Sequence, residues 1–164
     1  MKYDREQFMA HFGQVFESSP WFAESVYERH GGKIVSAFEL AAQFEAALRR
    51  AGPEEQLNLL RAHPELACAV REDLTGESRR EQAAAGLDAC SKAEFKQFEE
   101  LNRMYRDRFG FPFIIAVAGL DRHQILSAFQ SRINNEHEQE FQTALDEVCK
   151  IASVRITNAL HERA

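Results

Sequence analysis

A strongly apolar stretch at residues 108–120, RFGFPFIIAVAGL, constrains the fold of this chain more than any other feature. Its composition demands burial, yet Gly110 and Pro112 interrupt it and Gly119 closes it. Proline lacks a backbone donor and disfavours helical geometry in the residue before it. Because unpaired backbone groups are costly when buried, we expect those of this stretch to face partners outside a helix. In a chain that otherwise predicts helices, this indicates a binding surface.

Helix-start signals recur along the rest of the chain, whereas the alternation typical of strands is nearly absent. Ser36 with Glu39 and Ser91 with Glu94 have capping-box spacing, and Pro53 is placed to open another helix. Further helices are predicted at residues 91–109, at residues 122–132 after an Asp121 cap, and at residues 134–161. We therefore predict an all-α, single-domain bundle over residues 1–164, with about seven to nine helices and a non-helical apolar segment lining the site.

Composition excludes several classes of function. A length of 164 residues with 45% hydrophobic residues suits one globular domain. A net charge of −6 gives no electrostatic footprint for nucleic acid, and the longest apolar run is too short to span a membrane. Cys68, Cys90 and Cys149 are widely spaced, which predicts neither a disulfide framework nor a zinc site and suggests a reducing compartment. With an N-terminus too charged for a signal peptide, we expect a cytoplasmic protein.

An arginine interrupts the apolar face of the last predicted helix. Arg155 falls near the middle of a face formed by residues at helical spacing, which are Phe141, Ala144, Leu145, Val148, Ile151, Ala152 and Ala159. A buried guanidinium requires an anion or polar acceptors. One alternative is a structural pair with a core carboxylate, or a stem that reaches the surface. The other is a pocket in which Arg155 binds a carboxylate or a urea-like carbonyl.

Two further segments hold candidates for chemistry. His63 precedes Pro64, which restricts its backbone, and an imidazole suits general acid–base work near neutral pH. Ser78 and Glu81 have capping-box spacing, which by itself would explain both. Alternatively, a helix start there presents Ser78, Glu81 and Gln82 to a polar ligand. Nucleotide-binding, serine-hydrolase and metalloprotease motifs are absent from the sequence, which leaves a metal-free enzyme or a binding module.

Several separate segments together resemble one known family. They are FGQVFESSPW from Phe12, HPELA from His63, ESRREQAAAGLD from Glu77, LNRMYRDRFGFPFIIAVAG from Leu101 and ALDEVCKIASVRI from Ala144. Their order and content resemble 2-oxo-4-hydroxy-4-carboxy-5-ureidoimidazoline (OHCU) decarboxylases, of the bacterial type because the C-terminal SKL of peroxisomal forms is missing. The resemblance implies an all-α homodimer that acts in urate degradation, converting OHCU to (S)-allantoin without cofactor or metal.

The resemblance also implies roles for individual residues. His63 would be the catalytic acid or base, with Glu81 as its catalytic partner. The substrate-binding residues would be Pro64, Ser78, Gln82, Phe113, Ile114, Ile115, Ala116, Val117 and Arg155. The rival hypotheses are a non-enzymatic helical interaction module, which leaves the placement of His63, Glu81 and Arg155 unexplained, and a family member acting on another ureido-imidazoline acid.

Overall fold

The computed structural model describes residues 1–66 and 76–162. Within these ranges the chain forms eight α-helices and one 3₁₀ turn at Leu87–Ala89, and the only strand-like pairing is an isolated bridge between Lys2 and Lys33. The helices are α1 Arg5–Phe12, α2 Trp21–His30, α3 Ala37–Arg50, α4 Pro53–Ala62, α5 Gly76–Ala84, α6 Lys92–Phe109, α7 Arg122–Arg132 and α8 His137–His161. The all-α prediction is confirmed.

Local capping explains where several helices begin. Asp121 caps α7 by accepting the Gln124 N–H, and its own N–H donates to the Gln124 side chain. Ser91 with Glu94 forms the predicted capping box of α6. Ser36 caps α3 through the Glu39 amide. Only this half of the predicted capping box is formed. The Glu39 carboxylate accepts a hydrogen bond from the Gln43 side chain at 3.5 Å instead of one from the Ser36 N–H.

The contacts divide the chain into two compact units, and the predicted single domain stays a prediction. The first unit comprises Met1–His63 and Val148–Ala164. Its core is rich in aromatic residues, with Phe16 packed edge-on against both Phe22 and Phe44 at ring-centre distances of 5.4 and 5.6 Å. The C-terminal part of α8 contributes Ile151 and Ala152 to this buried set.

The second unit, Pro64–Glu147, is organised around Tyr105 of α6. This ring is fully buried and contacts Phe109 at 4.4 Å and Phe113 at 5.4 Å between ring centres. Phe113 in turn stacks on Phe129 of α7, with ring centres 3.9 Å apart and planes 8° from parallel. Phe95, in the first turn of α6, is 39% exposed.

The apolar stretch adopts the predicted non-helical conformation. Helix α6 ends at Gly110, whose φ of 79° lies in the left-handed region that favours glycine. Residues 111–117 then run without regular secondary structure to a turn that contains Gly119 at φ 78°. The residues of this run are buried apart from the half-buried Ala116, so non-helical backbone lies in the interior of the second unit.

The cysteines differ from the expectation of a wholly reduced set. Cys149 is a free thiol, whereas Cys90 is disulfide-bonded; Cys68 lies outside the described residues. The expectation was therefore wrong for Cys90, because the spacing of cysteines along a sequence does not decide which of them form a disulfide. None of the described helices combines the length and apolarity that crossing a membrane requires.

Candidate active site

His63 lies at the C-terminal end of α4, where the helix gives way to extended backbone. Its φ and ψ are −72° and 133°, as the following Pro64 favours. The backbone N–H of His63 still donates to the Leu60 carbonyl at 3.2 Å. This bond ties the backbone of His63 to the last turn of α4 and so fixes the point from which the imidazole extends. The ring lines a pocket of the first unit with Val15, Phe16, Glu17, Leu59, Val148, Ile151 and Arg155.

Arg155 enters the same pocket from α8 and is buried at 4% exposure. Its Nη2 donates to a carboxylate oxygen of Glu17 at 3.3 Å, and its Nη1 lies 3.5 Å from the carbonyls of Gln14 and Val15. The structural alternative, a pair with a core carboxylate, is therefore present. Arg155 also lines the pocket beside His63, and its binding of a substrate group stays a prediction.

The charge state of His63 follows from this environment. Burial is the largest influence on its pKa, and together with the nearby positive charge of Arg155 it lowers the pKa to about 4, against an opposing effect of Glu17. A histidine with that pKa is neutral near pH 7. It therefore presents one ring nitrogen as a proton acceptor and the other as a donor.

In the second unit, α5 carries three of the predicted site residues. Ser78 and Gln82 are buried at 3% and 7% exposure, and Glu81 is half-buried between them. The capping-box explanation of Ser78 and Glu81 is wrong, because Gly76 and Glu77 before Ser78 are already helical. The alternative interpretation, a helix start that carries polar side chains inward, agrees with the burial of Ser78 and Gln82.

Three contacts hold the chain just after the half-buried Pro64. The Gln82 amide donates to the Glu65 carbonyl at 3.5 Å, and the buried Asn102 amide donates to the Leu66 carbonyl at 2.7 Å. The Glu65 carboxylate pairs with Arg106 of α6. These contacts hold residues 64–66, a short segment whose backbone forms neither a helix nor a strand and therefore needs side-chain partners.

The 113–117 segment, defined as Phe113, Ile114, Ile115, Ala116 and Val117, presents backbone donors without backbone partners. Within the described residues, none of its five N–H groups donates a hydrogen bond. Its Ile114 carbonyl accepts from Arg132 at 2.7 Å, and its Val117 carbonyl accepts from the Leu120 amide at 3.0 Å. Buried amides are nearly always satisfied, so this row of donors suits a polar ligand.

Sequence reasoning missed three charged residues around these features. Glu17, the partner of Arg155, is separated from it by 138 positions, and no local signal marks it. Arg132 and Glu140 form a buried ion pair with Nη2 to carboxylate oxygen at 2.9 Å. Both lie near an end of a predicted helix that favours their charge, Arg132 at a C-terminus and Glu140 near an N-terminus, so neither stands out in the sequence. No group of three or more potential metal ligands occurs in the part of the chain that the structure describes.

Comparison with known proteins identifies the family. The family model described as OHCU decarboxylase matches residues 1–157. A 2-oxo-4-hydroxy-4-carboxy-5-ureidoimidazoline decarboxylase of Haloferax volcanii is 41% identical over 153 residues, covering 93% of this chain and 89% of the relative.

Two solved structures have a similar fold. A crystal structure of (S)-allantoin synthase gives a TM-score of 0.76 at 31% identity and covers 94% of this chain and 49% of its own. A crystal structure of an OHCU decarboxylase in the presence of (S)-allantoin gives a TM-score of 0.70, covering 90% and 96%. At 22% identity, this similarity shows the fold alone. The resemblance seen in the sequence motifs is confirmed, and the chain belongs to the OHCU decarboxylase family.

Proposed function

We propose that this chain is a carboxy-lyase that decarboxylates OHCU to (S)-allantoin in urate degradation. Membership of the family supports the reaction. The observation in the molecule that carries the proposal is the buried 113–117 segment, whose five N–H groups make no hydrogen bond among the described residues. A flat substrate rich in carbonyl and ureido groups matches such a row of main-chain donors.

The chemistry needs orientation more than added reactivity. When the bond between the ring carbon and the carboxylate breaks, CO₂ leaves and its electron pair passes to the adjacent ring imine. The substrate thus supplies its own electron sink, and one proton delivered to the ring completes allantoin. Holding the carboxylate across the ring plane favours this cleavage, and positioning of this kind supplies roughly 7–11 kcal/mol at best.

We assign proton transfer to His63. With a pKa lowered to about 4 by burial and by Arg155, the neutral imidazole accepts the proton of the substrate hydroxyl. Once protonated in this environment, it is a strong acid and returns the proton readily. Protonation from one face of the ring gives the (S) isomer. Glu81 is proposed as the second catalytic residue, with its carboxylate accepting N–H groups of the ureido arm.

The remaining proposed residues bind the substrate. Arg155 donates to a substrate oxygen while Glu17 balances its charge, which suits a guanidinium that carries several donors. Gln82 and the amides of the 113–117 segment bind the polar atoms of the ring and the ureido arm. Ser78 and Pro64 complete the binding set on the family resemblance.

We further propose that the chain is one functional domain, which acts as a cytoplasmic homodimer. The family resemblance supports both the assembly and the location. Sedimentation of the purified protein measures the assembly, and cell fractionation decides the location.

The reaction is tested with substrate made in place, since OHCU is labile. Urate oxidase and hydroxyisourate hydrolase generate it, and circular dichroism follows (S)-allantoin. The wild-type protein should form (S)-allantoin faster than the spontaneous decay of OHCU does. In His63→Ala, kcat should fall by about 10²–10⁴-fold. His30→Ala is the matched control, because His30 is exposed at the end of α2. A wild-type rate equal to spontaneous decay overturns the proposal, and a folded His63→Ala variant at full rate removes the role of His63.

A further inference from the structure

Arg132 has three separate attachments at the end of α7. Its Nη1 donates to the Ile114 carbonyl at 2.7 Å. Its Nε and Nη2 donate to the Glu140 carboxylate at 2.9–3.2 Å. Its guanidinium carbon also lies 4.4 Å from the centre of the Phe113 ring. One side chain therefore joins a buried carboxylate to two consecutive residues of the 113–117 segment.

The carboxylate that holds Arg132 is itself immobilised. Glu140 is fully buried, and it also accepts from the Tyr105 hydroxyl at 2.5 Å and from the Asn135 amide at 2.9 Å. Burial alone would raise the pKa of Glu140, but the hydrogen bonds from Arg132, Tyr105 and Asn135 prevail and the pKa is lowered. Glu140 therefore remains ionised, and Arg132 is held by a fixed charge.

The attachment at Ile114 determines where the next amide points. The peptide unit is planar and trans, so the Ile114 carbonyl and the Ile115 N–H belong to one rigid plane and point in opposite directions. Arg132 holds the carbonyl end of this plane. On the other side of residue 114, the Phe113 ring is confined between Phe129 and the Arg132 guanidinium. Rotation of the plane would break the bond to Arg132.

We infer that Arg132 is a positioning residue, which holds the Ile115 N–H toward an acceptor oxygen of the bound substrate. The inference rests on the proposed function, in which the 113–117 segment binds OHCU. The N–H of Ile115 makes no hydrogen bond among the described residues, so it is ready to donate without a prior rearrangement. The acceptor is a carbonyl oxygen of the ring or of the ureido arm.

Arg132→Lys and Tyr105→Phe separate this role from a purely structural one. Both variants weaken the same buried network. Lysine keeps a charge for Glu140 but lacks the planar fork that reaches the Glu140 carboxylate and the Ile114 carbonyl together. Phenylalanine removes one hydrogen bond to Glu140 and leaves the bond to Ile114. We expect kcat/KM to fall by about 10–100-fold in Arg132→Lys, as misplacement of a binding group does, and to change by less than about twofold in Tyr105→Phe.

Two further readouts make the result decisive. In amide NMR spectra the Ile115 cross-peak should move in Arg132→Lys and stay in Tyr105→Phe. If Arg132→Lys does not fold, the double variant Arg132→Gln with Glu140→Gln leaves no lone buried charge, and it should show the same loss of kcat/KM. Equal losses in Arg132→Lys and Tyr105→Phe, or an unmoved Ile115 cross-peak, overturn the inference. A wild-type protein without activity overturns the proposed function instead, while the NMR comparison still decides the positioning role.

Discussion

Each of the two units buries an arginine–glutamate pair, and the two pairs are built differently. In the second unit, Glu140 accepts hydrogen bonds at 2.5–3.2 Å from three side chains. In the first unit, the contacts of Arg155 with Glu17 and two carbonyls measure 3.3–3.5 Å, and the pair borders a pocket. Burying a charge is costly in both places. The closely bonded pair fixes backbone, whereas the longer contacts beside a pocket suit a guanidinium that also binds substrate.

The largest expected effect concerns the closely bonded pair. Glu140→Ala leaves Arg132 charged and buried, and it removes the acceptor of Tyr105 and Asn135. We expect the free energy of unfolding to fall by roughly 3–5 kcal/mol, measured by urea-induced unfolding.

Glu138→Ala on the exposed side of the same helix is the matched control for Glu140. We expect it to change the free energy of unfolding by no more than about 0.5 kcal/mol. Similar losses in the two variants would remove the distinction between the pairs.

An effect of intermediate size is the pH dependence of stability that His63 gives to the first unit. The pKa of His63 is lowered to about 4 in the folded protein, below the ~6.5 of an unfolded histidine. Between these values the unfolded chain binds more protons, so stability rises with pH across the window and is lost on acidification. The His63 contribution to this loss approaches roughly 3 kcal/mol near pH 4. Unfolding curves of wild type and His63→Gln should therefore converge or cross as the pH falls, and parallel curves would contradict the assignment.

The smallest expected change in stability concerns the pair of Arg155 and Glu17 in the first unit. Arg155→Leu alone would remove the guanidinium that faces the buried Glu17 carboxylate, so the single variant mixes a change in stability with a change in binding. Arg155→Leu combined with Glu17→Gln removes both charges. We expect the double variant to unfold within about 1 kcal/mol of wild type and its KM to rise about 10–100-fold through the lost charged hydrogen bond. Urea unfolding and the coupled assay measure the two effects, and an unchanged KM would make the pair structural only.

The predictable parts of this fold are those determined by nearby residues. Asp121 and Ser91 mark helix starts through bonds that span three positions, and Gly110 ends α6 through its own φ. Ser78 misled the same reasoning, because Gly76 and Glu77 before it are already helical.

The candidate site was predictable only where one residue contradicted its surroundings. Arg155 stood out because it interrupts an apolar face, and residues 108–120 stood out because Gly110 and Pro112 interrupt an apolar run. Glu17 lies 138 positions from Arg155, and pairing at that separation leaves no mark in a single sequence. Arg132 and the Ile114 carbonyl meet across 18 positions, where a side chain contacts backbone and residue identity carries no signal.

The main-chain character of the 113–117 segment has a consequence for how such sequences can vary. A ligand bound by amide N–H groups is recognised through atoms that nearly every amino acid shares, so exchange among apolar residues at Ile114 or Ile115 alters packing more than recognition. Proline is the exception, because it removes the donor itself. We therefore expect the volume and shape of the new side chain to decide which substitutions are tolerated in this segment. Proline alone should be excluded at each position whose N–H contacts substrate.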